Sequence, residues 1–284
     1  MLTPAFASRV LLSRERRLLA RTYKRDSHGR FGSGGGGRVE GQDISATADH
    51  ADIYSRMAEP EIGSRPRHAP KVGDEALGEI QRLQGFDGPP TVVSREEFDR
   101  AVAAGEVTET FRGVHGGGAQ DQADAYRDGD LYPGTGIYGN GTYVAMDRSQ
   151  ADAFAGRHPE GDPAAGAVLR IGLASDVRVV SLTGLRAEMS EYMARQSGRT
   201  EQVQDLDRQM RRAAERTDTI EDQVAVYNDY NGRKVAAAGP EYLVSQDEGR
   251  FAALRGYDAI DVPGGQGGDQ MIILNRTAVI VEEG

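Results

Sequence analysis

The most restrictive feature of the sequence is a series of short strand-like segments separated by stretches of helical composition. "VTETFRGV" (107–114) and "MIIL" (271–274) are short and rich in apolar or β-branched residues, which is typical of strands. Ser94 followed by Glu97 is the signature of a capping box at the start of a helix, and residues 183–231 predict two or three helices. Short strands interrupted by helices predict an α+β fold with a mostly antiparallel or mixed sheet.

The first 72 residues differ in composition from the rest. Leucines in residues 8–23 have a spacing compatible with one helical face, and "KRDSHGRFGSGGGGR" (24–38) has the composition of a flexible linker. Residues 39–72 are polar, contain several prolines and predict at most one helix. The expected organisation is a basic, glycine-rich and largely flexible arm and linker (1–72), then a folded domain (73–284) that contains a helical insertion (183–250).

Charge is distributed unevenly along the chain. Residues 1–39 hold nine Lys or Arg and two Asp or Glu, a net charge of +7, whereas the whole chain carries −10. A basic arm on an acidic body predicts binding to nucleic acid, an anionic surface or an acidic partner. A solvated arm that keeps the chain soluble explains the same charges equally well. The acidic body argues against a broad nucleic-acid-binding face on the main domain.

Composition also restricts the chemistry. The chain has no cysteine, so disulfides, thiolate nucleophiles and Cys-ligated metal sites are excluded. Its five histidines have no ligand-like spacing, and we expect no metal. No apolar run reaches the roughly 18–20 residues of a membrane span, and the first residues lack the apolar centre of a secretory signal. We therefore expect a soluble protein that has no membrane partner and stays in the cytoplasm in which it is made.

The segment "GIYGNGTYVA" (136–145) places three glycines and two tyrosines in ten positions. Gly139, Asn140 and Gly141 favour a sharp bend, after which "TYV" has the composition of a strand. A hairpin with a half-buried tyrosine explains this pattern, and so does a pocket in which the ring of Tyr143 faces a planar ligand. On this segment alone the hairpin is favoured.

Two further places combine residue types that bind ligands. Arg112 stands beside Gly113 at the end of a predicted strand; an arginine pairs with phosphate or carboxylate, and a glycine lets a ligand approach the backbone. The Gly-rich segment 263–270 leads into a buried strand, with Asp269 and Gln270 at its mouth. An ordinary surface charge and an ordinary connection explain these two patterns as well.

Taken in order, the three elements resemble the ADP-ribosyltransferase superfamily. In that superfamily one strand carries Arg or His followed by Gly, a second carries a Gly-hydrophobic-Tyr-hydrophobic-Ala motif, and a third begins with a catalytic Glu. "FRG" looks like the first motif, of the Arg class that includes bacterial toxins and phage enzymes, and "GNGTYVA" looks like the second. In the tyrosine class a second aromatic follows the tyrosine by eleven residues, and Phe154 stands at that spacing from Tyr143. The resemblance covers residues 90–284.

The resemblance implies a fold of split mixed or antiparallel sheets, with NAD as co-substrate and no metal. Arg112 would hold the NAD phosphates or the nicotinamide ribose, and Gly113 would offer backbone hydrogen bonds to the nicotinamide amide. Tyr143 and Phe154 would stack on the nicotinamide ring and so fix the glycosidic bond for cleavage. The residues implied to contact NAD are Arg112, Gly113, Gly141, Thr142, Tyr143 and Phe154, and those implied in catalysis are Arg112, Tyr143 and Gln270.

The third motif departs from the family pattern. Gln270 stands where the family has its Glu, and a glutamine can hold a ribose hydroxyl but carries no negative charge. Losing such a contact commonly costs roughly 10²–10³ in rate. Asp269 is adjacent, but adjacent side chains on a regular strand point to opposite faces. A slip or bulge of one residue would be needed to bring Asp269 into the site.

These observations predict an NAD-dependent ADP-ribosyltransferase that acts on a protein acceptor, or less favourably on a nucleic acid. The end of the chain resembles transferase domains of phage head-associated proteins, and residues 24–37 resemble N-terminal segments of head proteins from phages of actinobacteria. The expected location is therefore the bacterial host cytoplasm or the phage virion, with head proteins as partners of the basic arm 1–39. The alternatives are a catalytically degenerate structural protein of the phage head and a toxin domain with a separate delivery tail.

Overall fold

The structure is a computed structural model in which two compact units are distinguished, residues 1–38 and 39–284. In the first unit β1 (Lys24–Arg25) pairs antiparallel with β2 (Phe31–Gly32). The helix expected over residues 8–23 and most of the expected linker lie outside the described residues. The structure describes residues 24–25, 31–32, 38–57, 74–116, 118–129, 134–156, 166–195, 198–217, 219–265 and 268–284.

The second unit is built on a mixed β-sheet. Within its described residues, eight strands lie in the order β3-β11-β7-β4-β6-β10-β9-β8, and β5 pairs separately with β6. The pairs β3–β11 and β8–β9 are parallel, and the other pairs are antiparallel. The predicted α+β fold with a mixed sheet is therefore confirmed. The strands are β3 (Thr91–Val93), β4 (Val107–Val114), β5 (Gly134–Gly136), β6 (Gly139–Ala145), β7 (Ala167–Ala174), β8 (Val179–Ser181), β9 (Ala259–Gly265), β10 (Gly268–Ile273) and β11 (Val279–Glu282).

Helices flank the sheet and fill the segment between β8 and β9. The capping box is confirmed, because the Ser94 hydroxyl accepts from the Glu97 backbone N–H while the Glu97 carboxylate accepts from the Ser94 N–H. A short 3₁₀ helix (Arg276–Ala278) precedes β11. The α-helices are α1 (His50–Met57), α2 (Asp74–Gln84), α3 (Arg95–Ala103), α4 (Ala119–Asp128), α5 (Arg148–Ala155), α6 (Leu182–Arg195), α7 (Thr200–Ala214), α8 (Ile220–Ala238), α9 (Pro240–Val244) and α10 (Glu248–Leu254).

The compact unit begins earlier than the sequence predicts. Residues 39–57 belong to it, although the expected boundary lies between residues 72 and 73. Val39 N–H donates to the Thr277 hydroxyl, Ile44 N–H donates to the Leu254 carbonyl, and Ile53 is fully buried. The segment is also attached through the Gln42 backbone, which bonds the Gln84 side chain, and through an ion pair between Asp43 and Arg255. These long-range contacts cannot be read from the polar composition of the segment.

The sheet separates two hydrophobic cores. One, the α10 core, contains Phe251 and Leu254 of α10 together with Ile272 of β10. The other, the α4 core, contains Tyr126 of α4 together with Val144 of β6. Successive strand residues alternate between the two faces, so the core to which a residue contributes shows which face its side chain occupies.

The glycines of "GNG" lie inside β6 rather than in a bend. The chain reverses two residues earlier, at Ile137 and Tyr138, so the bend expected at residues 139–141 is corrected. The N-terminus of α10 lies directly against the start of β6. A Cβ on Gly139 would come 2.5 Å from the Gly249 nitrogen, and a Cβ on Gly249 would come 1.7 Å from the Asn140 carbonyl oxygen. Close packing of a helix end therefore explains these glycines.

The contact between α10 and β6 predicts a large effect of one added methyl group. We expect Gly249→Ala to lower the free energy of unfolding by about 1–3 kcal/mol, because the methyl group would overlap the Asn140 backbone. Gly232→Ala in α8 is the matched control, since nothing lies within 4 Å of its Cβ position. It should raise the stability by about 0.5–1 kcal/mol through helix propensity. Urea unfolding measures both, and equal midpoints for the two variants would contradict the packing.

Candidate functional site

The sheet opens between β4 and β6. Both strands are fully described, and they share one residue pair, Phe111 with Ala145. Continued antiparallel pairing would set residues 112–114 of β4 opposite residues 142–144 of β6, but the strands separate there. The opening is bordered by the residues whose motifs the sequence singled out: Arg112 and Gly113 on one wall, Thr142 and Tyr143 on the other.

The sheet faces divide the predicted site residues into two groups. Phe111 and Ala145 are paired and share a face, so Gly113 and Tyr143, each two residues further into the opening, share it as well. Gln270 pairs with Ala145 across β6–β10 and occupies the same face. Arg112 occupies the opposite face, on the side of the α4 core. The structure therefore brings Gly113, Tyr143 and Gln270 to one face and sends the Arg112 side chain to the other.

Arg112 is a partly buried cation without a carboxylate partner among the described residues. Its Nη1 donates to the Tyr143 carbonyl at 3.3 Å, and its guanidinium lies 5.9 Å from the centre of the Tyr126 ring. Within the part of the chain that the structure describes, the buried Nε has no hydrogen-bond partner. Burial lowers the pKa of Arg112 below its ordinary value, yet an arginine remains charged in a protein. This leaves a positive charge and a spare donor beside the opening.

The Tyr143 hydroxyl is held by two backbone groups. It donates to the Gly139 carbonyl at 2.7 Å and accepts from the Tyr138 N–H at 3.0 Å. Its ring covers Gly136 of β5, where a Cβ would come 2.1 Å from the ring. Burial raises the pKa of Tyr143 well above its ordinary value, so the phenol stays neutral and acts as a donor. The ring is thereby fixed in one orientation at the wall of the opening.

Helix α5 lies across β4 at Gly113. A Cβ on Gly113 would come 2.2 Å from the Ala151 carbonyl oxygen, so only a glycine lets this helix lie so close. Phe154 of the same helix is 44% exposed and contacts the His115 ring edge-on, with centroids 5.2 Å apart. Within the described part of the chain the Phe154 ring therefore packs against His115 and not against Tyr143. Phe154, which the resemblance implies as the second stacking aromatic, thus lies on the helix that packs against Gly113.

Gly141 and Thr142 complete the predicted NAD contacts on β6. A Cβ on Gly141 would come 2.3 Å from the Ile272 side chain, so this glycine accommodates the neighbouring strand. Thr142 is buried and lies on the Arg112 face of the sheet, one residue before Tyr143. Packing within the sheet therefore accounts for the positions of Gly141 and Thr142.

The ladder at the mouth of β10 contains an irregularity. In the β9–β10 ladder Gly268 pairs with Gly265 and Gln270 pairs with Val262. Two residues of β9, Pro263 and Gly264, therefore stand opposite Asp269, so the β-bulge lies in β9 and β10 stays regular. The Asp269 carboxylate accepts from the Gly264 N–H at 2.8 Å, and its backbone carbonyl accepts from the Met146 N–H. The Gln270 side chain lies over Gly265 of β9.

A polar cleft of about 510 Å³ lies between the start of β10 and the first turns of α5. Asp269 and Gly268 line it from β10, and Ser149 and Gln150 line it from α5. Asp147, also in the lining, caps α5 through a hydrogen bond from the Ser149 N–H at 2.7 Å. Hydrogen bonds from Ser149 lower the pKa of Asp147, so this carboxylate is ionised at neutral pH.

The described residues contain no group of three or more His, Asp or Glu side chains that could hold a metal ion. In the same part of the chain, no helix has both the length and the apolar character that crossing a membrane requires.

Comparison with known proteins gives no relative: the chain matches no family model, no curated protein and no solved structure. The case for any function therefore comes from the residues of this chain and their arrangement.

Two residues beside the opening escape prediction from sequence. Tyr126 lies under the Arg112 guanidinium and is fully buried, but in the sequence it is one tyrosine of a short polar helix. Asp247 caps α10, and both of its carboxylate oxygens accept from the Asn140 N–H, at 3.0 and 3.1 Å. The aspartate before "EGRFAAL" predicts a helix cap, whereas its contact with β6 depends on tertiary structure.

The fixed tyrosine at the wall of the opening predicts a measurable hydrogen-bond contribution. We expect Tyr143→Phe to lower the free energy of unfolding by about 1–2 kcal/mol, because the Gly139 carbonyl and the Tyr138 N–H lose their partner. Tyr227→Phe on α8 is the control, since its hydroxyl makes no hydrogen bond to any described residue, and it should leave stability unchanged. Equal urea midpoints for the two variants would show that the Tyr143 hydroxyl contributes nothing.

Proposed function

We propose that this chain is an NAD-dependent ADP-ribosyltransferase that transfers ADP-ribose to a protein acceptor and releases nicotinamide. The observation that carries the proposal is the opening between β4 and β6. Three motifs that resemble those of the superfamily fall on three neighbouring strands, β4, β6 and β10. Two of them line the opening, and the third begins at a cleft beside it.

The shape of the opening suits a flat, polar ligand. β4 and β6 separate after one residue pair, so the backbone N–H and C=O groups that face each other across the opening make no strand-to-strand hydrogen bonds. Tyr143 holds its ring rigidly at one wall, and Gly113 and Phe154 contribute from the other wall and from α5. In the proposal the amide of nicotinamide binds backbone groups at Gly113 while its ring stacks on Tyr143.

Arg112 fits the group that it is proposed to bind. A partly buried guanidinium with a buried, unused Nε and no carboxylate partner among the described residues can take up an anion at little cost, because no ion pair has to break. The NAD phosphates supply such an anion. The Arg112 side chain projects from the opposite face of the sheet. Its Nη1 nevertheless reaches the opening, where it donates to the Tyr143 carbonyl.

Two features favour a second candidate, a catalytically degenerate structural protein of a phage head. Gln270 is neutral and occupies the face of Tyr143, where the resemblance requires a carboxylate. The Arg112 guanidinium already has a backbone acceptor and an aromatic neighbour. In this candidate function the chain would co-purify with phage particles and would label no protein from NAD.

The transferase proposal is tested with NAD carrying a label on nicotinamide, incubated with the full chain and bacterial host lysate. We expect nicotinamide release by the wild type and a loss of at least about 10²-fold in Arg112→Ala and Tyr143→Ala. Tyr143→Phe keeps the ring and should retain release, which separates stacking from the hydroxyl. A second label on the adenylate identifies the modified acceptor.

Controls separate chemistry from folding. Arg208→Ala, which removes an exposed arginine of α7, should release nicotinamide at the wild-type rate. Circular dichroism checks that each variant is folded. Binding of NAD without release of nicotinamide in any host lysate would contradict the enzymatic proposal and leave a binding module.

A further inference from the structure

Transfer to an acceptor needs a group that takes up a proton. A hydroxyl, amide or guanidinium acceptor loses a proton when it forms its bond to C1′ of the ribose. A general base within reach of that proton commonly contributes roughly 10²–10⁴-fold in rate. The residues assigned so far cannot act as this base: Arg112 stays protonated, the Tyr143 phenol stays neutral and the Gln270 amide is not basic.

His115 follows directly after β4, on the face of the sheet that carries Tyr143. Phe111 and Gly113 alternate onto this face, and position 115 continues the alternation. The ring contact with Phe154 agrees with it, because α5 lies over Gly113 on the same face. His115 is therefore one strand repeat, about 7 Å, beyond Gly113, at the end of the opening furthest from the Phe111 pair.

Helix α5 connects His115 with the polar cleft. Gln150 and Ala153 line the cleft, and Phe154 follows Gln150 by four residues, so these two side chains lie on one face of the helix. The imidazole packs against Phe154 at the far end of that face, with ring centroids 5.2 Å apart. An acceptor side chain that enters the proposed nicotinamide pocket from this end meets the imidazole first.

The imidazole is available to accept a proton. His115 is exposed, and its ring nitrogens make no hydrogen bond or ion pair with any described residue. Charges on the neighbouring elements are engaged with each other: on α5 Arg148 pairs with Asp152. On β7 Arg170 pairs with three carboxylates, those of Asp99, Glu109 and Glu282. Arg112 and helix α4 lie on the other face of the sheet. A histidine changes its charge between about pH 5 and 8, so its ring suits a base that acts near neutral pH.

We propose that His115 is the general base that takes the proton of the acceptor side chain, an inference that rests on the proposed transferase function. The bond between C1′ and N1 of nicotinamide breaks, and its electron pair leaves with the nicotinamide. The acceptor atom bonds to C1′ through its lone pair, and its proton passes to a ring nitrogen of His115 and then to solvent. The overall change is NAD plus acceptor to ADP-ribosyl acceptor, nicotinamide and one proton.

This role also restricts the acceptor. A carboxylate is already ionised at neutral pH and needs no base, whereas hydroxyl, amide and guanidinium groups carry the proton that has to be removed. The acceptor of this site is therefore one of the proton-bearing groups.

The test uses His115→Phe, which keeps a ring against Phe154 and removes both ring nitrogens. The full chain is incubated with host lysate and NAD labelled on the adenylate, and acceptor labelling is followed from about pH 5.5 to 8.5, the range in which a histidine titrates. We expect wild-type labelling to rise with pH and His115→Phe to label at least about 10²-fold more slowly, without that rise. NAD affinity, measured by equilibrium dialysis, should stay within about threefold. Asp152→Asn, which removes an exposed titratable group of α5 outside the cleft, is the control and should keep the wild-type profile.

Two further measurements separate a base from a packing residue. Added imidazole should restore labelling by His115→Ala, and neutral hydroxylamine, which cleaves esters of carboxylates, should leave the label attached. Wild-type labelling by His115→Phe, a slow His115→Ala that imidazole does not restore, or removal of the label by hydroxylamine would overturn the assignment. Each of these outcomes would leave nicotinamide release, and the transferase function, intact. A wild type that labelled no protein in any host lysate would contradict both proposals.

Discussion

The centre of the sheet is joined by one residue pair, Phe111 with Ala145, and the candidate site exists because pairing stops there. On one side β4 pairs with β7 along its full length of eight residues, and on the other β6 pairs with β10 over four. Each half is therefore rigid up to the junction. The backbone groups of residues 112–114 and 142–144 must find partners other than each other, since buried polar groups left unpaired are costly. The Arg112 guanidinium supplies one of these partners by donating to the Tyr143 carbonyl.

With so little support from β4, the position of β6 depends on the helical segment that the sequence marks as an insertion. The last helix of this segment, α10, presents Asp247 to the Asn140 N–H and lies against the start of the strand at Gly249. The neighbouring Gly139 carbonyl accepts from the Tyr143 hydroxyl, so the same few residues fix both the strand and the ring. The segment is thus part of the framework that orients the candidate site, because β6 would otherwise be held on that side by β5, the single pair with β4 and the Arg112 hydrogen bond.

Local signals in the sequence predicted much of the fold. The capping box at Ser94, the helix over residues 148–155 and the strand that carries Arg112 depend on contacts between near neighbours, which a single sequence shows. The start of the compact unit, the turn at residues 137–138 and the face of Arg112 depend on long-range packing. Glycines gave the least reliable guide: those at 139 and 141 make room for α10 and for Ile272, so they occupy a strand that their composition disfavours.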